Sequence, residues 1–176
     1  MKILVLLAHP QLDRSRVNRT WIQQLQRYPE ITVHNLYQAY FNVPIDIYRE
    51  RELLFNHDRI VFQFPLFWYS TPYILKQWQD EVLSFVWASE EGMRLSEKEL
   101  LLAISAGAPE TAFRSDGFHS FTIEELTRPL QMMAKLNGMK FLPIFVFYNA
   151  FEATQEEIEQ SANQYIQHLF HPEFNT

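Results

Sequence analysis

The chain has 176 residues, 47% hydrophobic and 20% charged, which suits one domain with a core large enough to need no covalent staples. It contains no cysteine, which excludes disulfide frameworks and thiolate metal sites, and its net charge of −6 comes without the basic stripe that a nucleic-acid partner requires. The opening apolar run of about seven residues ends at His-Pro, not at a small-residue cleavage site, and no stretch approaches the ~20 apolar residues of a membrane span, so a cytoplasmic protein is expected.

Residues 2–8 form a continuous run of Leu and β-branched side chains, the pattern of a strand buried on both faces. Polar "HPQLDRSRVNR" follows. Val17, Trp21, Leu25 and Tyr28 then recur on one side of a helix whose start Asp13 or Ser15 can cap. Residues 31–37, "ITVHNLY", alternate as a second, edge-like strand, and "YRERELLFNH" makes a short helix or turn before a third strand at 59–64. Ile74, Trp78, Val82 and Val86 mark an amphipathic helix, and residues 100–106 are a fourth buried strand. A helix over 123–137 is kinked or restarted by Pro129 and stopped by Gly138. "KFLPIFVFY" is a fifth strand, with Pro143 near its start, and 154–170 closes the chain as a polar helix with Ile158, Tyr165 and Leu169 inward.

This alternation predicts a single α/β domain over 1–176, a flavodoxin-like doubly wound parallel sheet of order 2-1-3-4-5 with helices on both faces. Ligands of such sheets sit beyond the carboxyl ends of the strands, so the loops after strands one, three and four carry the candidate chemistry. After strand one, G-x-G-x-x-G and the P-loop are both absent, but Ser15, Arg16 and Asn18 stand where a helix begins, an arrangement suited to a phosphate monoester or to plain capping. After strand three, "FPLFWYSTP" packs Leu66, Phe67, Trp68 and Tyr69 between Pro65 and Pro72. Adjacent loop side chains diverge, so some of these rings wall a flat ligand, cap the core or bury against a second subunit. After strand four, Ser105, Ala106, Gly107 and Ala108 are small enough for close approach to backbone, with Phe113 and His119 further along. His119 is a catalyst or a structural histidine. The sequence contains no G-x-S-x-G elbow and no zinc-enzyme spacing; His168 and His171 read as solvated, and the charged runs "YRERE" and "SEEGMRLSEKE" as exposed faces.

"AHPQLDRSRVN", "FPLFWYSTPYILKQWQDEVL" and "SAGAPETAFRSDGFH" together resemble the flavodoxin-like NAD(P)H:quinone oxidoreductase family. The small bacterial branch is closest, including the ancillary proteins of the Kef glutathione-gated potassium-efflux systems. The similarity runs through about Phe147. The resemblance implies a homodimeric flavoprotein carrying FMN (or FAD) that reduces quinones by two electrons with NAD(P)H in a ping-pong cycle. It places the flavin phosphate by His9, Ser15, Arg16, Val17 and Asn18, and the isoalloxazine ring against Pro65, Leu66, Phe67, Trp68 and Tyr69 and against Ser105, Ala106, Gly107 and Ala108. Phe113 and His119 match a Tyr and a His that assist hydride transfer in mammalian members, and Phe113 lacks the hydroxyl. The alternative implied is a regulatory ancillary subunit that docks on a potassium-efflux antiporter with little or no turnover. Two departures stand out. "WASEEGMRL" replaces a Gly-rich segment and brings in Glu90 and Glu91, and "SAGA" replaces T-T-G-G or T-T-G-E, losing two Thr hydroxyls.

Overall fold

The computed structural model describes residues 1–89 and 92–172; Glu90 and Glu91, singled out above, lie outside the described residues. Strand β1 (Ile3–Leu7) pairs in parallel with β2 (Ile31–Asn35) on one side and β3 (Arg59–Pro65) on the other. Strand β4 (Glu99–Ser105) pairs with β3. Beyond it lie two short strands, β5 (Lys140–Phe141) and β6 (Phe145–Phe147), each parallel to β4, giving the order β2-β1-β3-β4-β5. The expected order is therefore found, with the fifth strand split around Pro143. Proline has no N–H for the ladder, so the pairing breaks there and resumes at Phe145.

Alternation along the strands divides the core between two faces. Leu4, Leu6, Ile60, Phe62, Leu100 and Leu102 point to one cluster, and Ile3, Val5, Leu7, Val61 and Leu101 to the other. The second face is covered by α1 (Arg16–Leu25) and α8 (Gln155–Phe170), whose Trp21, Leu25, Tyr165 and Leu169 are fully buried. The first carries α2 (Leu36–Tyr40), α3 (Ile47–Phe55), α4 (Tyr73–Trp78), α5 (Ser84–Trp87), α6 (Ile123–Leu126) and α7 (Arg128–Leu136). A π-helical turn, Gln79–Leu83, joins α4 to α5, so the helix marked by Ile74, Trp78, Val82 and Val86 is one rod with an inserted bulge. Thr127 separates α6 from α7, with Pro129 in the first turn of the latter, and Gly138 adopts φ of 69° after the helix end.

Three local expectations are corrected. The sixth and seventh residues of "ITVHNLY", Leu36 and Tyr37, begin α2, because the Asn35 side chain accepts a hydrogen bond from the Gln38 N–H and caps a helix there. The "YRERE" run is not a wholly solvated face. Glu50 is completely buried, its carboxylate taking hydrogen bonds from His34 Nε2 (2.8 Å), Tyr40 Oη (2.5 Å) and Trp78 Nε1 (2.8 Å). Burial by itself pushes the Glu50 pKa up, but the hydrogen bonds from His34, Tyr40 and Trp78 outweigh it and hold the carboxyl below its usual value. His168 is also buried, 2% exposed, and donates from Nε2 to the Pro143 carbonyl (2.8 Å) that the split strand leaves without a ladder partner. Among the described residues, no helix is long and apolar enough to cross a membrane.

Candidate active site

The loops following β1, β3 and β4 converge at the carboxyl edge of the sheet around a cleft of about 480 Å³, a size typical of small-molecule sites. His9, Ser15, Arg16, Val17, Asn18, Pro65, Leu66, Phe67, Ser105 and Gly107 all line it. Five further lining residues escaped the sequence reading: Pro10, Gln11, Arg14, Ala150 and Phe151. Ala150 and Phe151 follow β6. The Ala150 N–H donates to the Ala106 carbonyl (3.0 Å) and the Asn149 N–H to Ala108 (2.9 Å), which ties this fourth loop to the third. The legible signal was the fifth strand itself, since its carboxyl end opens on the same edge.

One end of the cleft gathers hydrogen-bond donors and cationic side chains. Ser15 is the N-cap of α1, a helix of 10 residues, and its Oγ accepts from the Asn18 N–H (3.1 Å), so the Arg16 and Val17 N–H groups are left without partners inside the helix. The Ser15 hydroxyl proton remains available, and the Arg14 and Arg16 side chains flank it on the exposed rim. His9 faces the same end. Its Nδ1 accepts from the Gln11 N–H (3.1 Å), which leaves the ring proton on Nε2, and burial pushes its pKa down, so the ring is held neutral.

Asn18 has a different task from its neighbours. It is 1% exposed; its Nδ2 donates to Ser105 Oγ (2.9 Å) and Ser15 Oγ (3.4 Å), and its Oδ1 accepts from Gln63 Nε2 (3.1 Å). Gln63 Oε1 in turn accepts from Tyr165 Oη (3.2 Å). A buried polar chain therefore runs from α8 through β3 to the cleft, fixing the first loop against the third. With every polar hydrogen of the Asn18 amide engaged, its role is to position the cap and the wall.

The opposite end is apolar. Beyond Pro65, the Leu66 N–H donates to the Ser105 carbonyl (2.9 Å), and Phe67 and Ser70 exchange two backbone hydrogen bonds (2.9 and 2.8 Å) across a tight two-residue turn. The central residues, Trp68 and Tyr69, have φ of 46° and 63°. Such a turn normally takes Asn-Gly, and two ring residues there cost roughly 1–2 kcal/mol each. The turn sends these rings in different directions. Leu66 and Phe67 wall the cleft, Trp68 is thrown outward at 93% exposure, and Tyr69 lines a separate pocket of about 80 Å³ against α4 and α7.

Trp68, Tyr69, Ala106, Ala108, Phe113 and His119 are thus not among the residues lining the cleft. Ala106 is fully buried, Ala108 packs on the core, and Phe113 belongs to the core, 6% exposed. His119 lies on the Phe113 ring (centroids 4.5 Å apart, 33°), with its backbone N–H donating to Ala112 (2.9 Å) and its Nδ1 3.3 Å from Tyr69 Oη. Among the described residues there is no group of His, Asp and Glu that could hold a metal ion.

A family model described as Flavodoxin_2, flavodoxin-like fold, matches residues 1–169. The chain belongs to this family. It is 47% identical over 176 residues (99% of this chain, 89% of the relative) to the uncharacterized NAD(P)H oxidoreductase YdeQ of Bacillus subtilis strain 168. It is 38% identical over 172 residues (97% and 94%) to KefG, a glutathione-regulated potassium-efflux system ancillary protein of Cronobacter sakazakii. Among solved structures, general stress protein 14 of Treponema denticola in complex with FMN superposes with a TM-score of 0.91 at 37% identity, covering 97% of this chain and 98% of that one. An NADPH-quinone reductase from P. pentosaceus superposes with a TM-score of 0.85 at 30% identity, covering 96% and 97%. These relatives match this chain across nearly its whole length.

Proposed function

We propose that the chain is an FMN-dependent NAD(P)H oxidoreductase whose acceptors are quinones or similar conjugated carbonyl compounds. The observation that carries this reading is the two-ended cleft. Free amides, a hydroxyl and two arginines stand at the α1 end, and a turn-stiffened apolar wall faces a glycine at the other. A planar ring joined to a phosphate by a flexible chain has that polarity. The FMN-bound relative and the NAD(P)H-oxidoreductase relatives support it.

On this reading the Arg16 and Val17 N–H groups, the Ser15 hydroxyl and the Arg14 and Arg16 side chains hold the phosphate. Leu66, Phe67 and the Gly107 backbone hold the ring. Phe151 now packs on Gly107, and its exposed side chain turns aside or becomes part of the wall as the ring enters. Bound FMN supplies the hydride chemistry, so the chain needs no acid–base triad, only groups that bind, orient and shield. His119, which the resemblance matches to a histidine that assists hydride transfer, is the polar group this reading assigns to the acceptor. The exposed rings of Trp68, Phe118 and Phe121 are covered by a second copy in the homodimer, which sedimentation of the purified protein tests.

The decisive experiment is the absorbance spectrum of the purified protein, with mass identification of the released cofactor, followed by NADH and NADPH oxidation with added benzoquinone. Bound FMN and quinone-dependent turnover are expected. A colourless protein that takes up neither FMN nor FAD overturns the proposal. The KefG similarity favours docking on a potassium-efflux antiporter as a second reading, which co-purification with that antiporter tests.

A further inference from the structure

The Tyr69 hydroxyl and His119 Nδ1 meet at 3.3 Å, although the two residues are 50 positions apart in the chain. Tyr69 is brought there by the strained turn, where its φ is 63°, and the rings stand edge to face with centroids 5.4 Å apart. His119 is held on three further sides. Phe113 lies along its face at 4.5 Å, Phe118 meets it edge-on at 5.2 Å, and its backbone N–H is tied to the Ala112 carbonyl. In this arrangement the partner of Nδ1 decides which nitrogen carries the proton.

A phenol is a better donor than acceptor, and an unprotonated imidazole nitrogen is a good acceptor. We propose that Tyr69 is a positioning residue: its hydroxyl donates to His119 Nδ1, fixes the Nε2–H tautomer, and leaves Nε2–H as the donor presented to an acceptor oxygen. The strain of the turn gains a purpose, since a relaxed turn would not aim the residue at position 69 toward the third loop. The tautomer assignment stands on this contact alone. Only its consequence, a hydrogen bond to a substrate carbonyl, rests on the oxidoreductase reading.

The test separates the two. In mildly alkaline solution, where imidazoles are neutral, the two ring ¹⁵N shifts of His119 are read in flavin-free protein, with the signals assigned by His119→Asn. The expected result is well-separated shifts in which Nε2 carries the proton, and convergence toward a tautomer mixture in Tyr69→Phe. A proton found on Nδ1, or shifts unchanged in Tyr69→Phe, overturns the inference whether or not the protein binds FMN. In FMN-loaded Tyr69→Phe, kcat with benzoquinone is expected to fall about 10-fold, with the FMN Kd and the rate of flavin reduction by NAD(P)H within twofold of wild type. Wild-type kcat in that variant overturns the positioning role even where the tautomer shifts.

Discussion

The Phe151 ring lies directly on Gly107, so close that a Cβ at position 107 would fall within its van der Waals envelope. The glycine comes from the loop after β4 and the ring from the loop after β6, and both line the cleft. Their contact defines the apolar end of the site.

Gly107→Val is expected to fold, because the first atoms it meets belong to an exposed, movable ring and not to backbone. Its FMN affinity should drop at least about tenfold, since a branched side chain fills the space a flat ring needs. Fluorescence titration of FMN into the apoprotein checks this. Unchanged affinity would place the ring elsewhere.

Replacing both rim arginines, Arg14→Ala with Arg16→Ala, should weaken FMN about 10- to 100-fold and flatten the salt dependence of binding. Riboflavin, which lacks the phosphate, should bind wild type and the double variant alike. Parallel titrations with the two ligands at low and high salt separate a phosphate contact from general loss of fold.

Asn18→Ala removes the amide that bridges Ser15, Ser105 and Gln63, leaving buried polar groups without partners. A loss of about 2 kcal/mol in unfolding free energy is expected, measurable by urea denaturation. FMN affinity should also weaken although Asn18 need not touch the ligand, because the cap and the third loop lose their common tether.

Glu50→Gln breaks the most buried charged cluster of the described residues at its centre. A loss of about 3 kcal/mol is expected, seen as a lower urea midpoint. The cleft lies elsewhere, so FMN affinity of the folded variant should stay within twofold of wild type.

Acid should destabilise the protein in two stages. Burial depresses the pKa values of His9 and His168, so their stabilising contribution is present above the ordinary histidine value and declines as pH falls below about 6.5. Despite burial, hydrogen bonds from His34, Tyr40 and Trp78 depress Glu50, so its contribution is present above the ordinary carboxyl value and is lost as pH falls through its lowered folded value. Urea midpoints measured from pH 7 downward should show both declines, and Glu50→Gln should abolish only the second.

Much of the site was legible because strand order and loop position follow from pattern. Once residues 2–8, 59–64 and 100–106 read as buried parallel strands, their carboxyl-end loops had to share an edge. A cap at Asp13 or Ser15 was legible from their place ahead of the helix, and the structure gives it to Ser15. What escaped were residues whose role depends on which neighbour they meet. Phe151 drew no reading at all, Glu50 belonged to a run read as an exposed face, and His168 was read as solvated. Phe113, matched by motif to a catalytic position, is committed to the core.

By itself, the sequence determined the sheet, its order and the three converging loops, since hydrophobic periodicity records which faces are buried and proline and glycine record where strands and helices stop. Tertiary structure alone decided how "FPLFWYSTP" divides its rings. Two cross-strand hydrogen bonds and a pair of positive φ angles set Phe67 on the cleft, throw Trp68 outward and swing Tyr69 onto His119, 50 residues away. Side-chain direction in a tight turn depends on backbone torsions and distant partners, and neither is written in local composition.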